Sequence, residues 1–265
     1  MADYRNLDAK RQPPAPQATA QDASRAARLF PSAMGEVALD RVILNRLHDA
    51  MMSADPLAGR AEIRAALAQG IAPATLADHY IPTLSLGYGQ MWCDDEMSFS
   101  GVTIAVSRLQ SALRDLEQVW SAVPAASGPV STVLLIVPKD VFHTLGAFVL
   151  KGQLRRKGIS VRMLLGGTSK SITEELRRAT FDAIFVSASQ SEKLVSLRQV
   201  IDAVKSADPE CPPTVIGGAI LDVVAADVVT AETGADLATG SLEEALDYCG
   251  LRLTRHDGAP IMNRG

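Results

Sequence analysis

The sequence predicts an α/β protein in which a four-helix bundle precedes a doubly wound, five-stranded parallel sheet. Two observations carry this expectation. Between Asp40 and Trp120 the apolar residues recur at three- and four-residue steps, the period of a helix face. From Thr132 onward the period changes to short, wholly apolar, β-branched runs separated by helical stretches, the pattern of strands buried on both faces of a parallel sheet.

The helices follow in order. Val42, Ile43, Leu47 and Met51 form one stripe, which Asp55-Pro56 ends. A short second helix over Arg60 to Ala68 stops at Gly70. The third begins near Pro73, a residue suited to a first turn, and runs through Leu76, Tyr80 and Leu84 towards Trp92, with a kink expected at Pro82. The fourth is the longest. Val102, Ala105, Val106, Leu109, Leu113, Leu116 and Trp120 make its stripe, while Arg108, Arg114, Asp115 and Glu117 fall mostly off it. His48 and His79 lie on these helices and are expected at the surface.

Pro124 to Pro129 reads as a linker. The strands expected after it are Thr132–Val137, Ile159–Leu165, Asp182–Ser187, Pro213–Ile216 and Asp236–Ala238. The helices between and after them are Leu145 to Lys157, Ile172 to Ala179, Glu192 to Lys205, Leu221 to Glu232 and Leu242 to Tyr248. Five βα units in sequence make a flavodoxin-like sheet of order 2-1-3-4-5. The resulting division is an N-terminal arm at 1–35, the bundle at 36–124, the α/β domain at 130–252 and a tail at 253–265, which holds His256.

Bulk properties narrow the function. A formal net charge of −4 and a pI of about 5.6 supply no general field for nucleic acid. Cys93, Cys211 and Cys249 are odd in number and far apart, which fits a reducing cytoplasm rather than a disulfide framework. No stretch reaches the ~18 apolar residues of a membrane span, and the N-terminus lacks a basic region followed by an apolar run. The basic cluster Lys151, Arg155, Arg156 and Lys157 reads as a solvated helix end that complements the helix dipole.

In a sheet of this order the first and third connections leave on opposite faces, and a ligand crevice opens beyond the strand ends between them. The first loop carries Lys139, Asp140, Val141, Phe142, His143, Thr144 and Gly146, and the third carries Ser187, Ala188, Ser189, Gln190 and Ser191. The fourth strand ends in Gly217-Gly218, which would let a ligand lie on bare backbone; the fifth ends in Thr239-Gly240. A phosphorylated receiver needs an aspartate after the third strand and a lysine after the fifth, and neither is present. A first loop with Lys139, Asp140 and Phe142 in place of hydroxyls disfavours FMN.

What remains resembles a cobalamin-binding domain, whose pattern is Asp-x-His-x-x-Gly in the first loop, a serine turn in the third, and Gly-Gly after the fourth strand. His143, Gly146, Ser187, Ser189, Gly217 and Gly218 match in order over roughly residues 130–250. The resemblance implies that His143 is the lower axial ligand to cobalt, with Asp140, Phe142, Thr144, Gly146, Thr239 and Gly240 around the site and a third-loop serine on the nucleotide tail. Neutral imidazole is a good ligand for such a metal. It also implies a helical cap in which Trp92, after Leu86-Gly87, covers the upper face.

Two positions depart from the family pattern. The aspartate expected two residues before the histidine is replaced by Val141, so either Asp140 reaches round, a backbone carbonyl substitutes, or the coordination is weak. The Glu-His pair expected in the cap reads Val102-Thr103. The segment Lys139 to Leu150 is similar to the AerR/PpaA antirepressors of photosynthetic bacteria, whose related domains bind cobalamin or haem. That resemblance implies a cytoplasmic, non-enzymatic regulator. It would hold hydroxo- or adenosylcobalamin, respond to light, and act through a PpsR/CrtJ-type repressor of photosynthesis genes. Direct DNA contact is left open by it, and a corrinoid methyl carrier or a haem-binding redox sensor is the alternative. In the plainer alternatives His143 caps a helix, Ser187 and Ser189 are turn residues, Gly217-Gly218 serves a tight turn, and Trp92 belongs to the bundle core.

Overall fold

The computed structural model describes residues 39–121, 131–138, 144–207 and 210–251. The arm, the linker, the tail with His256, and loop residues 139–143, which include Asp140, Phe142 and His143, lie outside the described residues.

Helix α1 (Arg41–Met52) starts on Asp40, whose Oδ1 accepts from the N–H groups of Val42 at 2.8 Å and Ile43 at 3.4 Å. It ends on a guanidinium: Arg108 Nη1 donates to the carbonyls of Met51 at 2.6 Å and Ser53 at 2.7 Å, satisfying orphan acceptors at the negative end of the helix dipole. Helix α2 (Ala58–Ala68) buries Ile63 and Ala66. The third helical segment runs through Pro73–Thr75 and a π turn at Leu76–Tyr80 into α3 (Ile81–Cys93). The irregularity expected at Pro82 falls in the turn before it. Pro82 has no N–H for the carbonyl four residues back, and the Ile81 N–H bonds Leu76 O, five residues back, so the helix widens locally. Helix α4 (Phe99–Ser121) buries Ala105, Leu109, Leu113 and Leu116 of the expected stripe, with Val102 and Val106 partly buried and Ala112 buried beside them; the Trp120 side chain lies outside the description.

His48 departs from its expected surface position. It is buried, with its ring centroid 5.6 Å from that of Tyr88. The helical period explains this, because His48 follows Leu44 by four residues on the inward face, and an aromatic neighbour accommodates the imidazole. His79 is half-buried.

The sheet has the order β2-β1-β3-β4-β5, with all pairs parallel. Its strands are β1 (Thr132–Pro138), β2 (Ser160–Gly167), β3 (Ala183–Ser187), β4 (Thr214–Gly217) and β5 (Leu237–Ala238). Strand alternation splits the sheet's apolar residues between two cores. Leu134, Ile136, Ile184, Val186 and Ile216 face α6 (Ser169–Arg178), α7 (Leu194–Ala207) and α8 (Ala226–Thr233). Val133, Leu135, Val137, Phe185 and Val215 face α5 (Leu145–Arg156) and α9 (Leu242–Tyr248).

Three elements differ from the sequence expectation for physical reasons. Strand β2 is at the sheet edge, so Arg162 and Leu165 are exposed although its run is largely apolar. Helix α6 begins three residues early because Thr168 and Ser171 form a reciprocal capping box. The helix expected from Leu221 splits into a 3₁₀ turn at Ala219–Asp222 and α8. Ile220 is buried in the sheet core and its N–H reaches Ala188 O at 3.4 Å, which closes the tight turn before α8 can start.

Helix α5 joins the two halves. Leu145 and Val149 belong to the same hydrophobic cluster as the bundle residues Leu109, Leu113 and Leu116, whereas Ala147 and Leu154 face the sheet. The basic cluster at its end is drawn into pairs rather than solvated. Arg156 Nη2 holds both oxygens of Asp78, on the π turn, at 2.5 Å; Lys151 meets Glu117 of α4 at 3.2 Å; Lys157 meets Glu243 at 3.2 Å.

Candidate cofactor site

Because the strands are parallel, the connections after β1, β3, β4 and β5 all leave from one edge of the sheet, with the first and third on opposite faces. The third loop is held by its neighbour. Ser187 pairs in register with Gly217, and the Ala188 N–H donates to Gly217 O at 2.8 Å. Ser189 is buried, its Oγ 3.1 Å from Ser191 Oγ, and Gln190 Nε2 donates to Asp222 Oδ2 at 3.3 Å.

Gly217-Gly218 has a reason the sequence did not disclose. Gly218 has φ +104°, and a Cβ there would lie 2.4 Å from Ala188 O; a Cβ on Gly217 would lie 2.9 Å from Thr239 O. The bare backbone at this point touches the third and fifth loops of the chain itself. Thr239 completes the edge. Its N–H donates to Ile216 O at 3.0 Å, its hydroxyl donates to Glu244 Oε2 at 2.5 Å, and that hydroxyl oxygen accepts from the Ser241 N–H at 3.0 Å. Ser187, Gly217, Gly218 and Thr239 therefore lie along one rim joined by ladder pairing and close backbone approach, with Ser189 next to it in the third loop. Gly240 adjoins it with nothing within 4 Å of the position a Cβ would take, and the same is true of Gly146 in the first turn of α5.

Thr144 ends the first loop, and its hydroxyl accepts from Gln110 Nε2 of α4 at 2.9 Å. Sequence reasoning missed Gln110. The available signal was an amide set between Val106 and Leu113 on the inward side of an otherwise apolar stripe. Trp92 stands apart from the rim at the end of α3. It is 48% exposed, and its ring centroid is 6.2 Å from that of Phe99, itself 70% exposed. Trp92 is therefore not a bundle-core tryptophan. Leu86 and Ile104, on the same two helices, are also exposed.

The donor set suits a metal already held in a macrocycle. The first loop offers one imidazole, His143, and among the described residues no three His, Cys, Asp or Glu side chains gather to hold a bare ion. His143 would be the residue to hold the metal of such a group and the buried Ser189 hydroxyl would bond a polar part of it, while nothing lies within 4 Å of the position a Cβ would take on Gly146 or Gly240.

Comparison with known proteins agrees. Residues 131–249 match the B12 binding domain family model. The chain is 34% identical over 167 residues to the "Uncharacterized 20.5 kDa protein in bchF-crtJ intergenic region" of Rhodobacter capsulatus, covering 63% of this chain and 86% of that protein. In fold it is similar to the Methanosarcina barkeri monomethylamine corrinoid protein, with a TM-score of 0.64 and 15% identity over 79% of this chain and 98% of that one. Among the described residues no helix is long and apolar enough to cross a membrane. With the family model matched over its α/β half and a relative 34% identical of which it covers 86%, the chain belongs to the B12-binding domain family.

Proposed function

We propose that this protein is a cobalamin-dependent transcriptional regulator, an antirepressor that acts in the cytoplasm through a PpsR/CrtJ-type repressor and is not itself an enzyme. The observation that carries the reading is the 34% identity to a protein encoded between bchF and crtJ, combined with a B12-binding domain. His143 would ligate the cobalt of hydroxo- or adenosylcobalamin from below. Ser187, Ser189 and Thr239 line the rim that receives the nucleotide tail, and Trp92 serves the upper face. An alkylcobalamin such as adenosylcobalamin would supply a light-sensitive bond, and the bundle would pass the change in cofactor state to the repressor.

A methyl carrier would use the same scaffold. Val141 separates the two readings, because a carrier cycles its lower ligand on and off cobalt and is helped by a protonatable group behind the imidazole. A haem sensor would share the regulatory role with a different metal.

The test is the absorption spectrum of purified protein mixed with hydroxocobalamin, adenosylcobalamin or haemin and then desalted, for wild type and His143→Ala, followed by repressor pull-down in the dark and after illumination. A corrinoid spectrum that changes in the variant, with light-dependent capture of the repressor, supports the proposal. Retention of haem alone replaces the cofactor. Methyl transfer from bound methylcobalamin to a thiol in the presence of partner enzymes, with no repressor capture, establishes the carrier instead.

A further inference from the structure

The turn between α3 and α4 is the one place among the described residues where a residue other than glycine has a positive φ: Asp95, at +58°. It occupies the left-handed position that follows a helix end, where glycine is the usual residue. The chain around it is tightly bonded. The N–H groups of Glu96 and Met97 both donate to Met91 O, at 2.8 and 3.1 Å, the Asp94 N–H reaches Gln90 O at 2.9 Å, and Met97 is buried as an anchor. Ser98 Oγ then accepts from the Gly101 N–H at 3.1 Å as α4 begins. This fixed turn exposes Trp92 and Phe99, whose ring centroids are 6.2 Å apart, and between them in sequence three exposed carboxylates, Asp94, Asp95 and Glu96. No Lys or Arg occurs between Arg64 and Arg108, and among the described residues none of the three carboxylates is in an ion pair.

We propose that this corner is a docking surface for a cationic segment of a partner protein that also carries aliphatic or aromatic side chains. Three features select that partner. The carboxylates repel the phosphates of nucleic acid and of anionic lipid, which leaves a cationic protein surface. The exposed indole and phenyl rings offer apolar area and faces on which a guanidinium stacks, and such residues dominate the energetics of interfaces. The turn is already ordered by its own hydrogen bonds, so little entropy is lost when a partner settles on it. The inference goes beyond the cofactor reading, which assigns Trp92 alone of these residues, and the measurements that test it use neither cobalamin nor the repressor.

The probe is a fluorescent peptide of mixed arginine and leucine, compared with a lysine-glycine peptide of equal charge and a glutamate-leucine peptide. Binding to the full, cofactor-free chain is read by fluorescence anisotropy. Wild type should bind the arginine-leucine peptide best and the glutamate-leucine peptide not at all, and added salt should weaken the binding. Phe99→Ser, at an exposed ring, should weaken it by about thirtyfold, as loss of an interface hot spot does. Asp95→Gly removes a carboxylate and relieves the backbone, so binding should weaken by about two- to fivefold while the urea midpoint stays level or rises. Val228→Ser with Glu232→Gln, which together remove an exposed apolar and an exposed acidic side chain on α8, should leave binding unchanged. Equal binding by wild type and Phe99→Ser, or retention of the glutamate-leucine peptide, overturns the proposal. So does a wild-type dimer that Phe99→Ser turns into a monomer in sedimentation, since a second copy of the chain then covers the corner.

Discussion

Gly218→Ala is the sharpest probe of how the rim is built. With φ +104° and ψ −171°, Gly218 lies in a region of backbone space essentially reserved for glycine, where another residue costs about 1–3 kcal/mol. The new Cβ would also stand 2.4 Å from Ala188 O, a backbone atom held by the Ile220 N–H on one side and by its own chain on the other. Parting the two backbones strains the Ala188–Gly217 bond and costs about 1–3 kcal/mol more, as overpacking usually does. The expected loss is therefore about 2–6 kcal/mol. Gly217→Ala has no φ penalty and meets Thr239 O at 2.9 Å, so about 1–2 kcal/mol is expected. Gly240→Ala meets nothing within 4 Å and should stay within about 0.5 kcal/mol of wild type. Urea unfolding of the cofactor-free protein, with unchanged m values, measures all three. Equal losses at 218 and 240, or a Gly218→Ala protein as stable as wild type, would refute the close approach of the third and fourth loops.

The other expectations concern pairs and titrating groups. Asp78→Asn leaves the half-buried Arg156 guanidinium without its carboxylate and should destabilise by about 1.5–3 kcal/mol in urea, with Asp78→Asn plus Arg156→Met less harmful than the sum of the singles. Burial, and then the charge of Asp236, push the Cys249 thiol up to about 11, so at pH 8 iodoacetamide should modify the exposed Cys93 well before Cys249, as read by peptide mass spectrometry. Asp236 is held below its ordinary 3.8: burial pulls it up but is outweighed by bonds from the Thr214 hydroxyl and N–H and by Lys205. Its contribution is thus present above pH 3.8 and is lost as pH falls through the lower folded value. Asp236→Asn should flatten the acid end of the stability profile, measured as urea midpoint against pH.

How much of this was readable beforehand depended on whether a residue's neighbours were local. Thr132 to Val137 announced a strand buried on both faces, and the five such runs in alternation led to the observed sheet order, because parallel crossovers leave few other topologies. The place of Ser187, Ser189, Gly217, Gly218 and Thr239 at strand ends is legible in the sequence, and four of the five are joined there by ladder pairing, direct bonds or close backbone approach. What Gly218 was for could not be read, since its neighbour Ala188 is thirty residues away in sequence. His48 was misplaced because residue type was weighed above helical period, and the period decided. Gln110, Arg108 and Arg156 were missed or read as solvated for one reason: a long polar side chain on the margin of an apolar stripe can turn outward to water or across to a carbonyl or carboxylate on another helix. Only the packing of that helix settles which.

That packing also limits how the two halves of the chain can move apart. In a bundle resting loosely on a sheet domain, a ligand could lift the cap as a rigid body. Here Leu145 and Val149 of α5 are part of the bundle's own core. Re-exposing those two side chains costs about 3–6 kcal/mol before the Asp78–Arg156 and Glu117–Lys151 pairs are counted. At tenfold for each 1.4 kcal/mol, the lifted state would hold about one molecule in a hundred at best and about one in ten thousand at the upper figure. A cofactor that drove full separation would need that much differential affinity for the open form. Displacements that keep α4 and α5 packed and alter only contacts such as that of Gln110 with Thr144 escape most of this cost.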